Sequence, residues 1–458
     1  FFIEFEISET EYSLIFSLTI STNYYYVTIT TNQNFIFMKI LVLGNGAREH
    51  SLCYAISKSP KTSAIYSIPG NYGISKIAQC TKIDLNDFDS IHTFCQKNQI
   101  DLIVVGPEVP LVEGIVDFFI NKNIKIFGPE KFAAQLEGSK GFMKDLCEEY
   151  NIPTASYERF DDEASAITYL KTQQIPIVIK ADGLAAGKGV TVAESYTAAE
   201  QAVKEIFAGR FGKGMEVVIE EFMEGEEASY FICTDGIDFL SLVSAQDHKR
   251  VGEGDTGPNT GGMGAYSPAP IFTQEIKDQV DKKIIIPTLK AFQDKGHPYK
   301  GILYAGLMIN NGIAKLVEYN IRFGDPECQV LMLRMKSDLV EMMLNTIDGK
   351  IKDTNLKWED DHCATVVMAS DGYPGKFEKK TVIKNLDKLS NDNNFQVFHA
   401  STLKEDSNIK ADGGRVLSIT AKSNTLQDAL DKIYDSINLI DWPQGYFRKD
   451  IGYKAIKR

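Results

Sequence analysis

Glu318, Asn320, Arg322, Asp325 and Glu327 fall within ten residues, in the stretch Leu316–Gln329 that reads LVEYNIRFGDPECQ. The apolar residues around Lys315 and Glu318 predict a strand over Ala314–Tyr319. Side chains two apart on a strand share a face, so Glu318 and Asn320 together offer two oxygens to a hard cation. Arg322, two further on, suits a carboxylate or phosphate on that face. A charged turn between a strand and a helix would carry the same letters, so the rest of the chain has to decide. Cys328, inside this stretch, reads as a small semi-apolar filler.

Other stretches could also do chemistry. Ile175–Lys180 reads as a strand ending on a lysine, followed by Ala181–Val190, ADGLAAGKGV, and a second strand. Such a hairpin can fold over a polyphosphate: its glycines admit close backbone approach, and Lys180 and Lys188 add charge. Lys188 is followed by Gly189 rather than Ser or Thr, and a strand rather than a helix comes next, so this is not a P-loop. A flexible surface hairpin is the alternative. Gly44-Asn45-Gly46 joins the strand MKILVL to a helix opening at Ala47. A turn of that kind presents backbone N–H groups to a phosphate or small anion, with Arg48 as candidate partner. Glu49 stands where a dinucleotide fingerprint needs glycine. Gly106-Pro107-Glu108 follows LIVV, at the carboxyl end of a strand, where open α/β sheets take ligands.

The strand Met215–Phe222 runs into Glu220-Glu221-Phe222-Met223 and then Glu224–Glu227. Edge amides there suit an adenine and a glutamate suits ribose hydroxyls, although a solvated acidic loop would look the same. Gln246–Pro268, QDHKRVGEGDTGPNTGGMGAYSP, holds six glycines and two prolines and reads as one long loop. Loops of that length inside a compact domain are functional or disordered. Its varied polar groups, headed by Asp247-His248-Lys249-Arg250, favour function.

These stretches sit on alternating elements. From Met38 to Phe127 strands and helices alternate as in a doubly wound sheet, with one helix around Phe88–Asn98. Lys140 opens a helix that stops before Ile152-Pro153, and an antiparallel texture follows. Glu275–Lys295 reads as an amphipathic helix that Pro287 should bend or break, Gly301–Ile309 as a buried strand, and Met332–Asp348 as one helix. The tail from Cys363 is a smaller α/β unit with a helix over Leu426–Ile437.

The 458 residues exceed one ordinary core, and 43% hydrophobic with 24% charged residues is a globular composition. A net charge of −13 argues against a nonspecific nucleic-acid surface but leaves room for a local basic pocket. Seven scattered cysteines without a CxxC suggest reduced thiols in a cytoplasmic protein and no zinc site. No stretch is long and apolar enough to span a membrane. Phe1–Phe37 lacks Lys, Arg, Gly, Ala, Pro and Asp, so it does not read as a secretory signal, which needs a basic n-region, or as a mitochondrial presequence, which needs arginines. Met38 is the expected functional start, with the preceding residues an upstream or idiosyncratic extension; native N-terminal mass spectrometry should find few peptides before it.

Taken together, GNGAREH, GPEVPLV, KADGLAAGKGV, IEEFMEGEEAS, DHKRVGEGDTGPNTGGMGAYSP, EYNIRFGDPECQ and YFRKDIG resemble the glycinamide ribonucleotide synthetase (phosphoribosylamine–glycine ligase) family of ATP-grasp enzymes. The resemblance runs from Met38 to Arg458 and departs at Lys380, where many relatives have glycine. It implies an N-terminal doubly wound α/β substrate domain over 38–138, an ATP-grasp α+β core over 139–362 with a lid-like part near 155–230, and a small C-terminal α/β domain over 363–458. It implies a monofunctional purine-biosynthetic ligase, a monomer or weak oligomer, that joins glycine to 5-phosphoribosylamine through glycyl phosphate. The cofactors implied are ATP and Mg²⁺ or Mn²⁺.

Carried onto this chain, the resemblance gives Lys140, Lys180, Gly187, Lys188 and Gly189 to the ATP phosphates. Glu220, Glu221 and Met223 fall to the adenine and Glu227 to the ribose. Glu318 and Asn320 are the implied metal ligands. Arg322 and Asp325 would act on glycine with Lys249 and Arg250, assisted by Asp247, Asn259, Gly261, Gly262 and Gly264. Asn45, Gly46, Arg48, Gly106, Pro107 and Glu108 would face phosphoribosylamine. Another ATP-grasp ligase or carboxylase would share the ATP loops but not GNGAREH or the long glycine-rich loop. A silent nucleotide-binding module would have no reason to keep Lys180, Lys188, Glu318, Asn320 and Arg322 together.

Overall fold

The computed structural model describes residues 15–18 and 27–30 as backbone, and residues 37–184, 189–212, 214–389 and 392–458 in full. Ile15–Leu18 and Val27–Thr30 pair antiparallel. Met38–Gly44 is the middle strand of a five-stranded parallel sheet. From one edge to the other, the strands run Gln79–Cys80, Thr62–Pro69, Met38–Gly44, Leu102–Val105 and Lys125–Phe127. Strand order reverses between Met38–Gly44 and Leu102–Val105, so the Gly44–Gly46 turn and the Gly106–Glu108 loop flank one crevice at their carboxyl ends. The nearly unbroken apolar run of the middle strand is explained by burial on both faces: Leu41 and Leu43 enter one core, Ile40 and Val42 another.

The same two cores take alternate residues of a four-stranded antiparallel sheet ordered Phe239–Ser241, Glu226–Thr234, Gly301–Asn310, Ile313–Asn320. Leu303, Ala305 and Leu307 face the first core, Ile302 and Tyr304 the second. The parallel unit and this sheet are therefore one packed body. A second antiparallel sheet, ordered Val190–Ala193, Ile177–Ala181, Val217–Glu221, Tyr157–Phe160, buries the helices Glu163–Leu170 and Tyr196–Phe207 in a core of its own.

Two expected elements differ from those observed, and a third is interrupted near its proline. The Gln246–Pro268 stretch is not a single loop. It contains the hairpin Arg250–Gly252/Thr256–Asn259, and Gln246–Asp247 and Gly264–Ser267 join the C-terminal sheet, where Gly264–Ser267 pairs with His362–Ser370. Glycine-rich strands carry little side-chain alternation, which hid them. Met332–Asp348 is two helices, Glu327–Arg334 and Leu339–Ile347, because the Asp338 carboxylate caps the second by accepting from Val340 and Glu341 N–H. The helix expected over Glu275–Lys295 is interrupted just before Pro287: a π-helical turn, Asp281–Ile285, joins Gln274–Val280 to Ile286–Asp294.

In the strand Ile313–Asn320, Gly306 pairs with Glu318 but Leu307 pairs with Leu316, so Val317 is an extra, bulged residue. The bulge sends Leu316 and Tyr319, three apart, into the same core, and leaves Val317, Glu318 and Asn320 on the opposite side. Leu316 is 0% exposed. Leu316→Ala should lower stability by about 2–5 kcal/mol through lost burial and a residual cavity, read as a reduced urea midpoint.

Candidate active site

A cavity of about 430 Å³ lies between the two antiparallel sheets and reaches the parallel-sheet crevice. Its walls include Lys140, Lys180, Gly189, Glu220, Glu221, Met223, Glu227, Asp247, Lys249 and Asn259. They also include Gly261, Glu318, Asn320, Arg322, Asp325, Arg48 and Glu108. Asn45, Gly46, Gly106, Pro107, Arg250, Gly262 and Gly264 are not among these wall residues. Gly187 and Lys188 lie outside the described residues.

Ser139 caps the helix Lys140–Glu149, and the Asp182 carboxylate accepts from Lys140 N–H at 2.5 Å and Ser139 O–H at 3.0 Å. This fixes Lys140, whose ammonium donates to Gly183 O at 2.8 Å and whose pKa burial lowers. The Glu220 carboxylate is buried between two lysines, Lys180 at 2.8 Å and Lys144 at 3.1 Å. Lys144 was not foreseen. The Glu220 side chain thus holds both ammonium groups, while the residue itself remains a wall of the cavity. Glu221 pairs with Lys315 at 3.0 Å.

Lys249 sits 2.7 Å from Glu227 and 3.7 Å from Glu318. Burial would lower its pKa, but Glu227, Asp247 and Glu318 outweigh it and raise it well above the ordinary value. Glu318 shows the converse: burial pushes its carboxyl up, and Lys249, Lys180, Lys140 and Arg322 together hold it below the usual range. Burial raises Asp247, reinforced by Glu327, Glu227 and Glu318 against the opposing Lys249. Glu327 accepts from Tyr304 O–H at 2.9 Å and Ser229 O–H at 3.1 Å.

Arg322 does not pair with Asp325. Its guanidinium lies between Glu137 at 2.5 Å and Glu108 at 3.3 Å. Burial pushes Glu137 up to about 7 despite Arg322, whereas Arg322 and Arg48 overcome burial at Glu108 and pull it down to about 2. Asp325 instead pairs with Arg415 at 3.0 Å and accepts from Gln329 at 2.9 Å. Glu137 and Arg415, both cavity walls, were missed, since each belongs to a stretch with no chemical pattern of its own. A missed cue also touches the glycine turn: Gly46 N–H donates to Glu49 at 2.6 Å, in the capping-box spacing. That amide is committed within the protein rather than free for an anion. Arg48 donates to Glu49 at 2.7 Å and to Phe323 O at 3.2 Å.

Arg250 donates across its own hairpin to Gly257 O at 2.6 Å. Gly262, at φ +110°, packs so closely on Pro326 that a Cβ there would come within 2.4 Å of it. Gly264 is held in the sheet opposite Val366. Asn45, Gly106 and Pro107 stay in the crevice loops, Pro107 as the cap of the helix Glu108–Glu113. For a cation, Glu318 and Asn320 supply two oxygens on one face, and the described residues contain no cluster of three or more His, Cys, Asp or Glu able to hold a metal ion. That donor set fits a hard ion that brings phosphate and water ligands with it.

A parallel-sheet unit joined to two antiparallel sheets that close on a polar cleft defines an ATP-grasp protein. The biotin carboxylase domain of Hydrogenobacter thermophilus 2-oxoglutarate carboxylase, solved with MgADP, has a similar fold (TM-score 0.68, 14% identity, covering 90% of this chain and 92% of that one). The chain belongs to the phosphoribosylglycinamide synthetase family: its N, ATP-grasp (A) and C domain descriptions match residues 38–137, 138–328 and 363–454. The Mesorhizobium japonicum phosphoribosylamine–glycine ligase is 52% identical over 422 residues, 92% of this chain and 99% of the relative. The chloroplastic one of Arabidopsis thaliana is 50% identical over 420 residues, 90% and 79% respectively. The crystal structure of the Thermotoga maritima phosphoribosylamine–glycine ligase has a TM-score of 0.78 and 30% identity, covering 90% of this chain and all of that one.

The raised Glu137 carboxyl has a consequence for stability. Between its ordinary value of 4.5 and about 7 the folded state holds more protons than the unfolded one, so stability falls as pH rises through that window. Glu137→Gln should remove that slope, roughly 3 kcal/mol across the window, measured by urea unfolding from pH 4 to 8.

Proposed function

We propose that this protein joins glycine to 5-phosphoribosylamine, converting ATP to ADP and phosphate, in purine biosynthesis. The observation that carries this reading is the convergence of Lys140, Lys180, Glu318, Asn320, Arg322 and Asp325 on one cavity in a chain of this family. A glycine carboxylate oxygen attacks the γ-phosphorus and ADP leaves, giving glycyl phosphate. The amine nitrogen of phosphoribosylamine then attacks the carbonyl carbon, phosphate leaves, and the nitrogen gives up a proton. No nucleophilic side chain is required; positioning and charge neutralisation carry the reaction.

In this reading Lys140 and Lys180 bind phosphates, with Gly187, Lys188 and Gly189 assigned to the same role. Glu221 and Met223 wall the adenine, and Glu227 takes the ribose. Glu318 and Asn320 would hold Mg²⁺ or Mn²⁺, which when bound neutralises phosphate charge. Arg322 holds the glycine carboxylate, and Asp325 with Lys249 orients the reacting groups. Arg48 and Glu108, at the switch-point crevice, face phosphoribosylamine. The free cysteines support a reducing compartment, which we take to be the cytoplasm, and the protein is read as a monomer or weak oligomer.

ADP release should require ATP, glycine and phosphoribosylamine together. Persistence with another amino acid in place of glycine would overturn the substrate assignment. Glu318→Ala should lower kcat on the order of 10²-fold or more while leaving the unfolding midpoint in place. Unchanged turnover at limiting Mg²⁺ would remove Glu318 from the metal site.

A further inference from the structure

Arg415 opens the strand Arg415–Ser423 of the C-terminal unit, yet its side chain reaches a cavity walled largely by other units. One terminal nitrogen, Nη1, donates to Gly261 O at 2.6 Å, Asp325 O at 2.8 Å and Gly262 O at 3.3 Å. The other, Nη2, lies 3.0 Å from the Asp325 carboxylate. Gln329 holds the remaining Asp325 oxygen at 2.9 Å, so the carboxylate is oriented from two sides. It faces the glycine turn: a Cβ placed on Gly46 would stand 3.4 Å from Asp325 Oδ2. Tyr373, also from the C-terminal unit, accepts from Gly261 N–H at 3.2 Å.

We propose that Arg415 is a positioning residue for the reaction, holding the Asp325 turn and the Gly261–Gly262 loop at a fixed separation beside the crevice. The planar guanidinium suits this task because it binds a carboxylate and carbonyls at once in one rigid plane, which a lysine ammonium does not. The inference rests on the ligase reading for its kinetic effect, since Asp325 there orients the reacting groups. A displacement of about 1 Å in such a group costs on the order of 10²-fold in rate.

The test compares the full chain with Arg415→Ala and Arg415→Lys, measuring kcat and the KM of ATP, glycine and phosphoribosylamine separately, the unfolding midpoint, and amide exchange. Arg415→Ala should lower kcat/KM for glycine and phosphoribosylamine on the order of 10²-fold and leave the KM of ATP within about twofold. Arg415→Lys should recover little, whereas guanidinium at non-denaturing concentration should partly restore Arg415→Ala. Both variants should exchange the amides of residues 259–263 faster with the rest unchanged. Kinetic constants within about twofold of the original protein would overturn the proposal. So would a KM for ATP raised as much as those of glycine and phosphoribosylamine, with a lowered midpoint and no rescue. If the unsubstituted protein releases no ADP, the ligase reading fails, and unchanged exchange at residues 259–263 would then overturn the positioning role separately.

Discussion

The guanidinium of Arg322, shared by Glu108 and Glu137, ties the end of the central antiparallel sheet to the parallel unit. Glu108 starts a helix at the switch-point crevice, Glu137 lies in the last turn of another, and Arg322 follows the strand that carries Glu318 and Asn320. One cation thus fixes the distance between the crevice and the strand that carries Glu318 and Asn320. Because these groups are largely buried, their attraction is little screened by salt and their desolvation cost is high. Polar partners on every side, such as Ile321 N–H donating to Glu137 at 2.8 Å, offset that cost.

The same arrangement recurs around the cavity. Arg48 sits against Glu49, Lys180 against Glu220, Lys249 against Glu227 and Arg415 against Asp325. A cleft built of paired charges holds its cations in place before any anion arrives. Binding a polyphosphate then means exchanging partners at fixed positions, which keeps the reorganisation small at the moment of reaction.

Much of this was legible in the residues. Glu318 and Asn320 share a face because strand periodicity is local, and Lys140 and Lys180 close a helix start and a strand end that their neighbours announce. The doubly wound unit followed from apolar runs separated by amphipathic helices. What local pattern did not reveal is which charge meets which. Arg322 met Glu137, 185 residues away in sequence, and Asp325 met Arg415, 90 away. The pairing of the Glu220 carboxylate with Lys144 and Lys180 was likewise not readable from its own stretch. The strands within Gln246–Pro268 are set by partners in the C-terminal sheet, a tertiary choice that glycine-rich sequence leaves open.

The bulge at Val317 bears on how this strand can change over evolutionary time. Side chains before it and after it alternate in opposite phase, so the residue count of the strand matters as much as its composition. Conservative replacements at Leu316 or Tyr319 preserve the alternation. Losing one residue there would instead turn either the apolar half outward or Glu318 and Asn320 into the core. The strand is therefore a place where relatives can differ in letters while being held to one length.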